Sequence, residues 1–178
     1  MNFTTIEYLK KGNPTQQKAY KTLQKVKVFS YLRAYQPLLV GTIPLKINTL
    51  KSDLDIILYT TDVVALAEKI KHLFGQHKNF KLNIKDPMQH ILVCTFVCDA
   101  FEIEIYSQNI PTRQQYGFLH LLKEYEILQI MPPSFKQKVI ALKNLGIKTE
   151  PAFAQLLNLE GNPYQALLAY QHNKNITT

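Results

Sequence analysis

The chain has 178 residues, an apolar fraction of 46% and a formal net charge of +8. These values indicate one globular domain with a real core and room for a small helical appendix. The longest apolar run is short and interrupted, and the amino-terminal stretch lacks the apolar core of a signal peptide. Membrane proteins are therefore excluded, and we expect a cytoplasmic protein with no membrane partner.

Cys94 and Cys98 lie four residues apart in a strand-like stretch, too far for a disulfide, so we expect two buried thiols.

The first 110 residues mix helix and strand signals. Asn13-Pro14 is typical of an N-cap and first turn, and it predicts a helix that runs to about Tyr35. A short strand, "QPLLVGT", and a loop over 43–52 precede the strand "DLDIILYTT", after which Asp62 caps a helix. Three further strand candidates are rich in β-branched and aromatic residues: "NFKLNIK", "HILVCTFVC" and "AFEIEIYSQ".

The remaining residues predict helices only. Capping boxes that start helices are predicted at Thr112 with Gln115 and at Ser134 with Gln137, and Gly146 is predicted to end the second of these helices. Thr149 is predicted to cap a further helix, and Asn162-Pro163 to start the last one. This order predicts an α/β or α+β core followed by a small helical bundle. We choose α+β with an α/β-type core, in which a small mixed β-sheet has flanking helices. We place the core at residues 1–110 and a C-terminal helical subdomain at 111–178, with the boundary near Ile110-Pro111.

Two of the predicted strands carry acidic residues on one face. Because strand side chains alternate between faces, Asp53 and Asp55 share the face opposite the apolar one. In "FEIEIY" the same alternation puts Glu102 and Glu104 together. If these strands are neighbours, three or four carboxylates cluster, and such a cluster of hard oxygen ligands suits Mg²⁺ or Mn²⁺. The alternative is that both acidic faces meet water, as one face of an antiparallel sheet commonly does.

A Gly-Thr pair stands upstream of the first acidic strand. Gly41 lets the backbone approach a ligand closely, and the Thr42 hydroxyl with the nearby amides suits phosphate oxygens. "LVGT" and then, ten positions after Thr42, "SDLDII" resemble the two-part motif of the nucleotidyltransferase superfamily of the DNA polymerase β type. The resemblance covers roughly residues 15–110. The whole chain is similar to a branch of uncharacterised bacterial proteins assigned to that superfamily.

The resemblance implies a fold, a reaction and a set of site residues. The fold is a nucleotidyltransferase-like core, and the C-terminal helices would shape the acceptor pocket. The reaction is transfer of a nucleoside monophosphate from a nucleoside triphosphate to a hydroxyl of an unknown acceptor, which is a small molecule, a protein or RNA. The residues carried over are Asp53, Asp55 and Glu104 as catalytic groups and ligands of two Mg²⁺ or Mn²⁺ ions, Glu102 as the alternative third acid, and Gly41, Thr42 and Ser52 around the nucleotide phosphates.

Two departures from the superfamily pattern keep a second interpretation open. Thr42 stands where Gly or Ser is usual, and the third carboxylate is a glutamate where aspartate is more common. The alternative is therefore a catalytically inactive nucleotidyltransferase-fold protein that binds a nucleotide, RNA or a protein partner. The sequence carries no signal for the oligomeric state.

Two polar stripes have both an ordinary and a functional interpretation. Lys18, Lys21 and Lys25 share one face of the first helix, which we interpret as a solvated face. The alternative is a surface for an anionic partner, such as a nucleotide or RNA. Tyr116, His120 and Glu124 fall on one stripe of a later helix. That stripe either faces the cleft, with His120 as a base or nucleotide contact, or is an ordinary polar helix side, which we favour slightly.

Overall fold

The computed structural model describes residues 1–171, which form a five-stranded sheet with helices packed on both faces. The strands are β1 (Leu38–Val40), β2 (Leu54–Tyr59), β3 (Lys78–Asp86), β4 (Ile91–Cys98) and β5 (Phe101–Gln108). The α-helices are α1 (Pro14–Val26), α2 (Val28–Tyr31), α3 (Val63–Phe74), α4 (Tyr116–Ile130), α5 (Pro133–Asn144), α6 (Thr149–Leu156) and α7 (Pro163–Ala169). Short 3₁₀ helices cover Glu7–Lys11, Arg33–Tyr35 and Thr112–Gln114.

The sheet is mixed, with strand order β1-β2-β5-β4-β3. Strands β2 and β5 run parallel, and the other neighbouring pairs are antiparallel. Together with the helices this is the α+β class that the sequence predicts. The parallel pair places Asp55 directly opposite Glu104, so the two acidic strands are neighbours. Cys94 and Cys98 of β4 are buried free thiols, as predicted.

The two faces of the sheet contribute to separate apolar cores. Ile56 of β2 belongs to a first core that includes residues of α1 and α3. On the other face, Ile57 belongs to a second core with Phe118 of α4 and Phe153 of α6. Asp55 lies on the same face as Ile57, because side chains two apart on a strand point the same way. The C-terminal helices therefore cover part of the acidic face and leave a cleft beside the carboxylates.

The division into a core and a C-terminal subdomain near Ile110-Pro111 stays a prediction. The second core draws on both sides of that boundary, for example on Val40 of β1 and Phe135 of α5. Residues 172–178 of the predicted subdomain lie outside the described residues.

Helix α1 ends at Val26 instead of continuing to about Tyr35. Lys27 has φ 57° in the left-handed region, and this residue separates α1 from the short helix α2. The three lysines of the predicted face, Lys18, Lys21 and Lys25, are exposed. This agrees with a solvated face, and one of them, Lys25, forms an ion pair of 2.6 Å with Asp99.

Side-chain caps form where Asn or Asp directly precedes the helix. Such a residue accepts a backbone N–H that the first turn leaves without a partner. The predicted caps that form are Asn13 (2.9 Å from Gln16 N), Asp62 (2.9 Å from Ala65 N) and Asn162 (3.0 Å from Tyr164 N).

The predicted capping box at Thr112 and Gln115 is wrong. Helix α4 begins at Tyr116, and Gln115 makes no side-chain cap. Its buried amide instead donates to the carbonyl oxygens of Leu58, at 2.8 Å, and Ile110, at 2.7 Å. Gln115 therefore ties the start of α4 to β2, a long-range contact that competes with local capping.

The other two predicted C-terminal caps are also wrong. Helix α5 begins at Pro133, one residue before Ser134, because proline already has a helical φ and the first position needs no N–H donor. Thr149 is the first residue of α6 rather than its cap. The predicted helix end at Gly146 is confirmed, with φ 90° just after α5.

Candidate active site

Three acidic residues lie together at one end of the β2–β5 pair. Val40 of β1 pairs with Asp55, which pairs in turn with Glu104 of β5. Asp53 immediately precedes β2, and its charge influences both of the other carboxyls. The register of three strands thus produces the acidic cluster that the sequence alternation predicts.

The structure separates the two candidates for the third acid. Glu104 is half-buried and lines the cleft beside Asp53 and Asp55. Glu102 is exposed and lies outside the residues that line this cleft. Glu104 is therefore the glutamate that can share a ligand with the two aspartates, and Glu102 affects it only through charge.

Gly41 brings the backbone against the Asp55 carboxylate. It follows β1 with φ 75°, in the left-handed region that side chains disfavour. A Cβ at this position would overlap Asp55 Oδ2. A residue with a side chain would therefore have to displace Asp55 in addition to adopting a strained backbone.

Hydrogen bonds hold the loop between Gly41 and β2. The hydroxyls of Thr42 and Ser52 lie 3.1 Å apart, and Thr49 N donates to Ser52 Oγ at 2.9 Å. Buried Gln16 of α1 fixes the other side of the loop, since its Nε2 donates at 3.0 Å to both the Ile43 and the Pro44 carbonyl oxygens. The loop thus presents two neighbouring hydroxyls at the cleft.

The acidic cluster has no ion-pair partner among residues 1–171. Burial, followed by the charges of Asp53 and Glu104, raises the pKa of Asp55 to about 7. Burial and then the charges of Asp53 and Glu102 raise the pKa of Glu104. Within residues 1–171, none of the three carboxylates forms an ion pair. Partly buried carboxylates of this kind fit a hard divalent cation, which prefers oxygen ligands.

A cleft of about 710 Å³ separates this cluster from the C-terminal helices. This volume lies within the range of about 300–1,000 Å³ that is usual for small-molecule sites. The predicted site residues that line it are Gly41, Thr42, Ser52, Asp53, Asp55 and Glu104. The residues that α4, α5 and α6 contribute include His120, Glu124, Lys143 and Glu150.

His120 and Glu124 are not part of an ordinary polar helix side. They are only 5% and 4% exposed, and both line the cleft. The interpretation that we favoured from the sequence is therefore wrong for these two residues, and the alternative, that the stripe faces the cleft, is correct. Tyr116 also lines the cleft but is 70% exposed.

Sequence reasoning missed Lys143 and assigned no role to Glu150. The positive charge of Lys143 lowers the pKa of both Asp55 and Glu124, which partly offsets the burial that raises them. Burial in turn lowers the pKa of Lys143. The local sequence does not distinguish either residue. Lys143 is one of several lysines in α5, and an acid such as Glu150 is common in the first turn of a helix.

A second polar cluster lies on the helical wall of the cleft. One ligand atom each from His120, Glu124 and Glu150 lies within 4.8 Å of the others. Burial raises the pKa of Glu124 well above its usual range and lowers that of His120. Among residues 1–171 this is the one group of three potential metal ligands that is so compact. The sheet cluster of Asp53, Asp55 and Glu104 is not among such compact groups within the described residues.

Comparison with solved structures identifies the class of fold. The chain matches a structure of Cid1 described for its RNA terminal uridylyl transferase activity, with a TM-score of 0.57 and 11% identity over 74% of this chain and 41% of that one. A GLD-2/RNP-8 complex matches with a TM-score of 0.57 and 13% identity over 85% and 60%. The polymerase core of the RNA surveillance complex TRAMP matches with a TM-score of 0.52 and 12% identity over 91% and 50%. The chain thus has a nucleotidyltransferase-like fold and spans 41–60% of the length of these structures.

A family model described as a domain of unknown function (DUF4269) matches residues 21–170, and the chain belongs to that family. No curated protein matches the chain. In the part of the chain that the structure describes, no helix combines the length and the apolar character needed to cross a membrane.

Proposed function

We propose that this chain is a metal-dependent nucleotidyltransferase that transfers a nucleoside monophosphate from a nucleoside triphosphate to a hydroxyl of an acceptor. The observation that carries the proposal is the pairing of Asp55 with Glu104 across parallel strands, beside Asp53 and next to the Gly41 turn. The nucleotidyltransferase-like fold supports it.

Asp53, Asp55 and Glu104 would hold two Mg²⁺ or Mn²⁺ ions. When bound, such ions neutralise the triphosphate and the charge that develops during phosphoryl-type transfer. The fit rests on the charge of the cluster: three carboxylates, none ion-paired within residues 1–171, two of which have raised pKa values.

The loop after β1 would bind the β- and γ-phosphates. Gly41 provides close backbone approach, and the paired hydroxyls of Thr42 and Ser52 can donate only one hydrogen to each other. The other hydroxyl hydrogen is free to donate to a phosphate oxygen. The methyl group of Thr42 does not prevent the pairing of these two hydroxyls, whose oxygens lie 3.1 Å apart.

Glu104 would accept the proton of the acceptor hydroxyl. Its carboxyl group lines the cleft beside Asp53 and Asp55, where the acceptor hydroxyl would lie. The hydroxyl oxygen forms a bond to the α-phosphorus, the bond from the α-phosphorus to the bridging oxygen breaks, and pyrophosphate leaves. The cleft volume of about 710 Å³ leaves room for an acceptor beside the nucleotide.

Glu104→Gln and Glu102→Gln form a matched pair for the test. We would titrate each protein with Mn²⁺ and each nucleoside triphosphate, follow bound Mn²⁺ by electron paramagnetic resonance, and measure transfer of label to RNA and small-molecule acceptors. Glu104→Gln should weaken Mn²⁺ binding and lower transfer by about a hundredfold, or about 2.7 kcal/mol, while Glu102→Gln stays close to wild type.

Two outcomes would contradict the proposal. Folded wild-type protein that binds neither nucleotide nor metal at millimolar concentration would remove it. Nucleotide binding without label transfer to any acceptor, unchanged by Asp55→Asn, would favour the inactive alternative that the sequence leaves open.

A further inference from the structure

The second cluster contains a buried nitrogen without a hydrogen-bond partner and a buried carboxyl group without an ion pair, both judged within residues 1–171. Nδ1 of His120 is buried and has no hydrogen-bond partner within residues 1–171. Glu124 is 4% exposed and forms no ion pair in the same described range. Buried polar groups in folded proteins nearly always have a partner, and an unpaired buried carboxylate is costly. A ligand that accepts electron pairs from both groups would remove this cost.

The geometry of the cluster brings three potential metal ligands together. His120 and Glu124 are four residues apart on α4, so they lie on one face, one turn from each other. Glu150 approaches from the first turn of α6, and one potential ligand atom of each residue lies within 4.8 Å of the others. Rings of Tyr116 and Tyr164 lie 6.4 and 6.0 Å from the His120 ring and limit its movement.

We propose that His120, Glu124 and Glu150 form a binding site for Zn²⁺, separate from the carboxylate cluster on the sheet. One imidazole and two carboxylates are a donor set that Zn²⁺ accepts, whereas Mg²⁺ prefers oxygen ligands alone. Zn²⁺ holds such ligands at about 2.0–2.2 Å, so a pair of ligand atoms near the 4.8 Å limit must approach by about 1 Å. Half-buried Glu150, near the start of the short helix α6, is the residue with room to move.

The site opens into the cleft. All three residues line it, and three protein ligands leave a further coordination position for water or a substrate atom. The proposal does not depend on nucleotidyl transfer, because it concerns ion binding by the helical wall alone.

The test uses Co²⁺ as a spectroscopic probe and Zn²⁺ as its competitor, with the full chain in excess Mg²⁺ so that the sheet cluster is occupied. We expect about one Co²⁺ per chain, visible by d–d absorption that Zn²⁺ abolishes. His120→Gln and Glu124→Gln should each weaken Co²⁺ binding by about 10–100-fold. His72→Gln, on the exposed side of α3, is the matched histidine control and should leave binding unchanged.

Variants of the other cluster separate this proposal from the proposed function. The double variant Asp53→Asn/Glu104→Gln should retain Co²⁺ binding while it loses Mn²⁺-dependent nucleotide binding. Thermal unfolding of every variant verifies that it is folded. The site is refuted if no Co²⁺ binds at micromolar concentration, if binding survives both His120→Gln and Glu124→Gln, or if the sheet double variant abolishes it.

Discussion

Replacing Asp55 with asparagine tests whether the free energy of folding is reduced by a partly buried carboxylate that has no ion-pair partner within residues 1–171. Burial and the charges of Asp53 and Glu104 raise the pKa of Asp55 from its ordinary value of 3.8 to about 7. Between these values the folded protein keeps a proton that the unfolded chain has lost. In metal-free protein the associated stability is therefore complete below pH 3.8 and is lost as the pH rises to about 7.

The size of the effect follows from the same two values. Each pH unit between 3.8 and about 7 corresponds to about 1.4 kcal/mol, which gives about 4 kcal/mol in total. Asp55 retains some contact with solvent in the cleft, so we expect about 2–4 kcal/mol. Asp55→Asn, which cannot ionise, should therefore be more stable than wild type by this amount at pH 8, and by little at pH 3.5.

Urea denaturation at pH 3.5, 6 and 8 in EDTA measures this difference. Glu102→Gln, which removes an exposed acid near the cluster, is the control and should change stability by less than about 0.5 kcal/mol. A stabilisation by Asp55→Asn that does not grow between pH 3.5 and 8, or a loss of stability at pH 8, would refute the reasoning. Added Mn²⁺ should reverse the order, because only wild type retains the full ligand set.

Two other substitutions test the loop that borders the cleft. Gly41→Ala should destabilise the protein by at least about 1 kcal/mol and weaken Mn²⁺ binding, because the backbone has φ 75° and a Cβ would overlap Asp55 Oδ2; unchanged Mn²⁺ titration would contradict this. Gln16→Ala should cost about 1–3 kcal/mol in urea denaturation, because the buried carbonyls of Ile43 and Pro44 lose their donor. An unaltered denaturation midpoint for Gln16→Ala would show that another donor replaces the amide.

The acidic strands were predictable because strand alternation is a local rule. It places Asp53 and Asp55 on one face whatever the partner strand is, and the same rule applies to the glutamates. Choosing Glu104 over Glu102 required the register, which pairs Glu104 with Asp55 and follows from long-range packing. Strand alternation therefore predicts which face of each strand is acidic, and the sheet register determines which acids are neighbours.

The contributions of the helices were harder to predict because they depend on tertiary contacts. Gln115 carries a capping pattern, yet its amide binds the carbonyl oxygens of Leu58 and Ile110. The sequence places His120 and Glu124 on one polar stripe of α4. The stripe faces the cleft because of how α4 packs on the sheet, which the sequence does not show. Glu150 approaches them from α6. It is too far away in the sequence for a helical or strand repeat to predict this contact.

The two clusters place different demands on a cation, although one cleft joins them. The sheet cluster offers oxygen ligands alone, whereas the helical cluster adds an imidazole, so the two sites should differ in their preference for Mg²⁺ and Zn²⁺. Lys143 lies within electrostatic range of both, since its charge lowers the pKa of Asp55 and of Glu124. An ion bound at either site would repel the Lys143 ammonium and so weaken the pKa-lowering effect of this charge on the other cluster. Ile57 belongs to the same apolar core as Phe118 and Phe153, so this second core joins the two walls of the cleft.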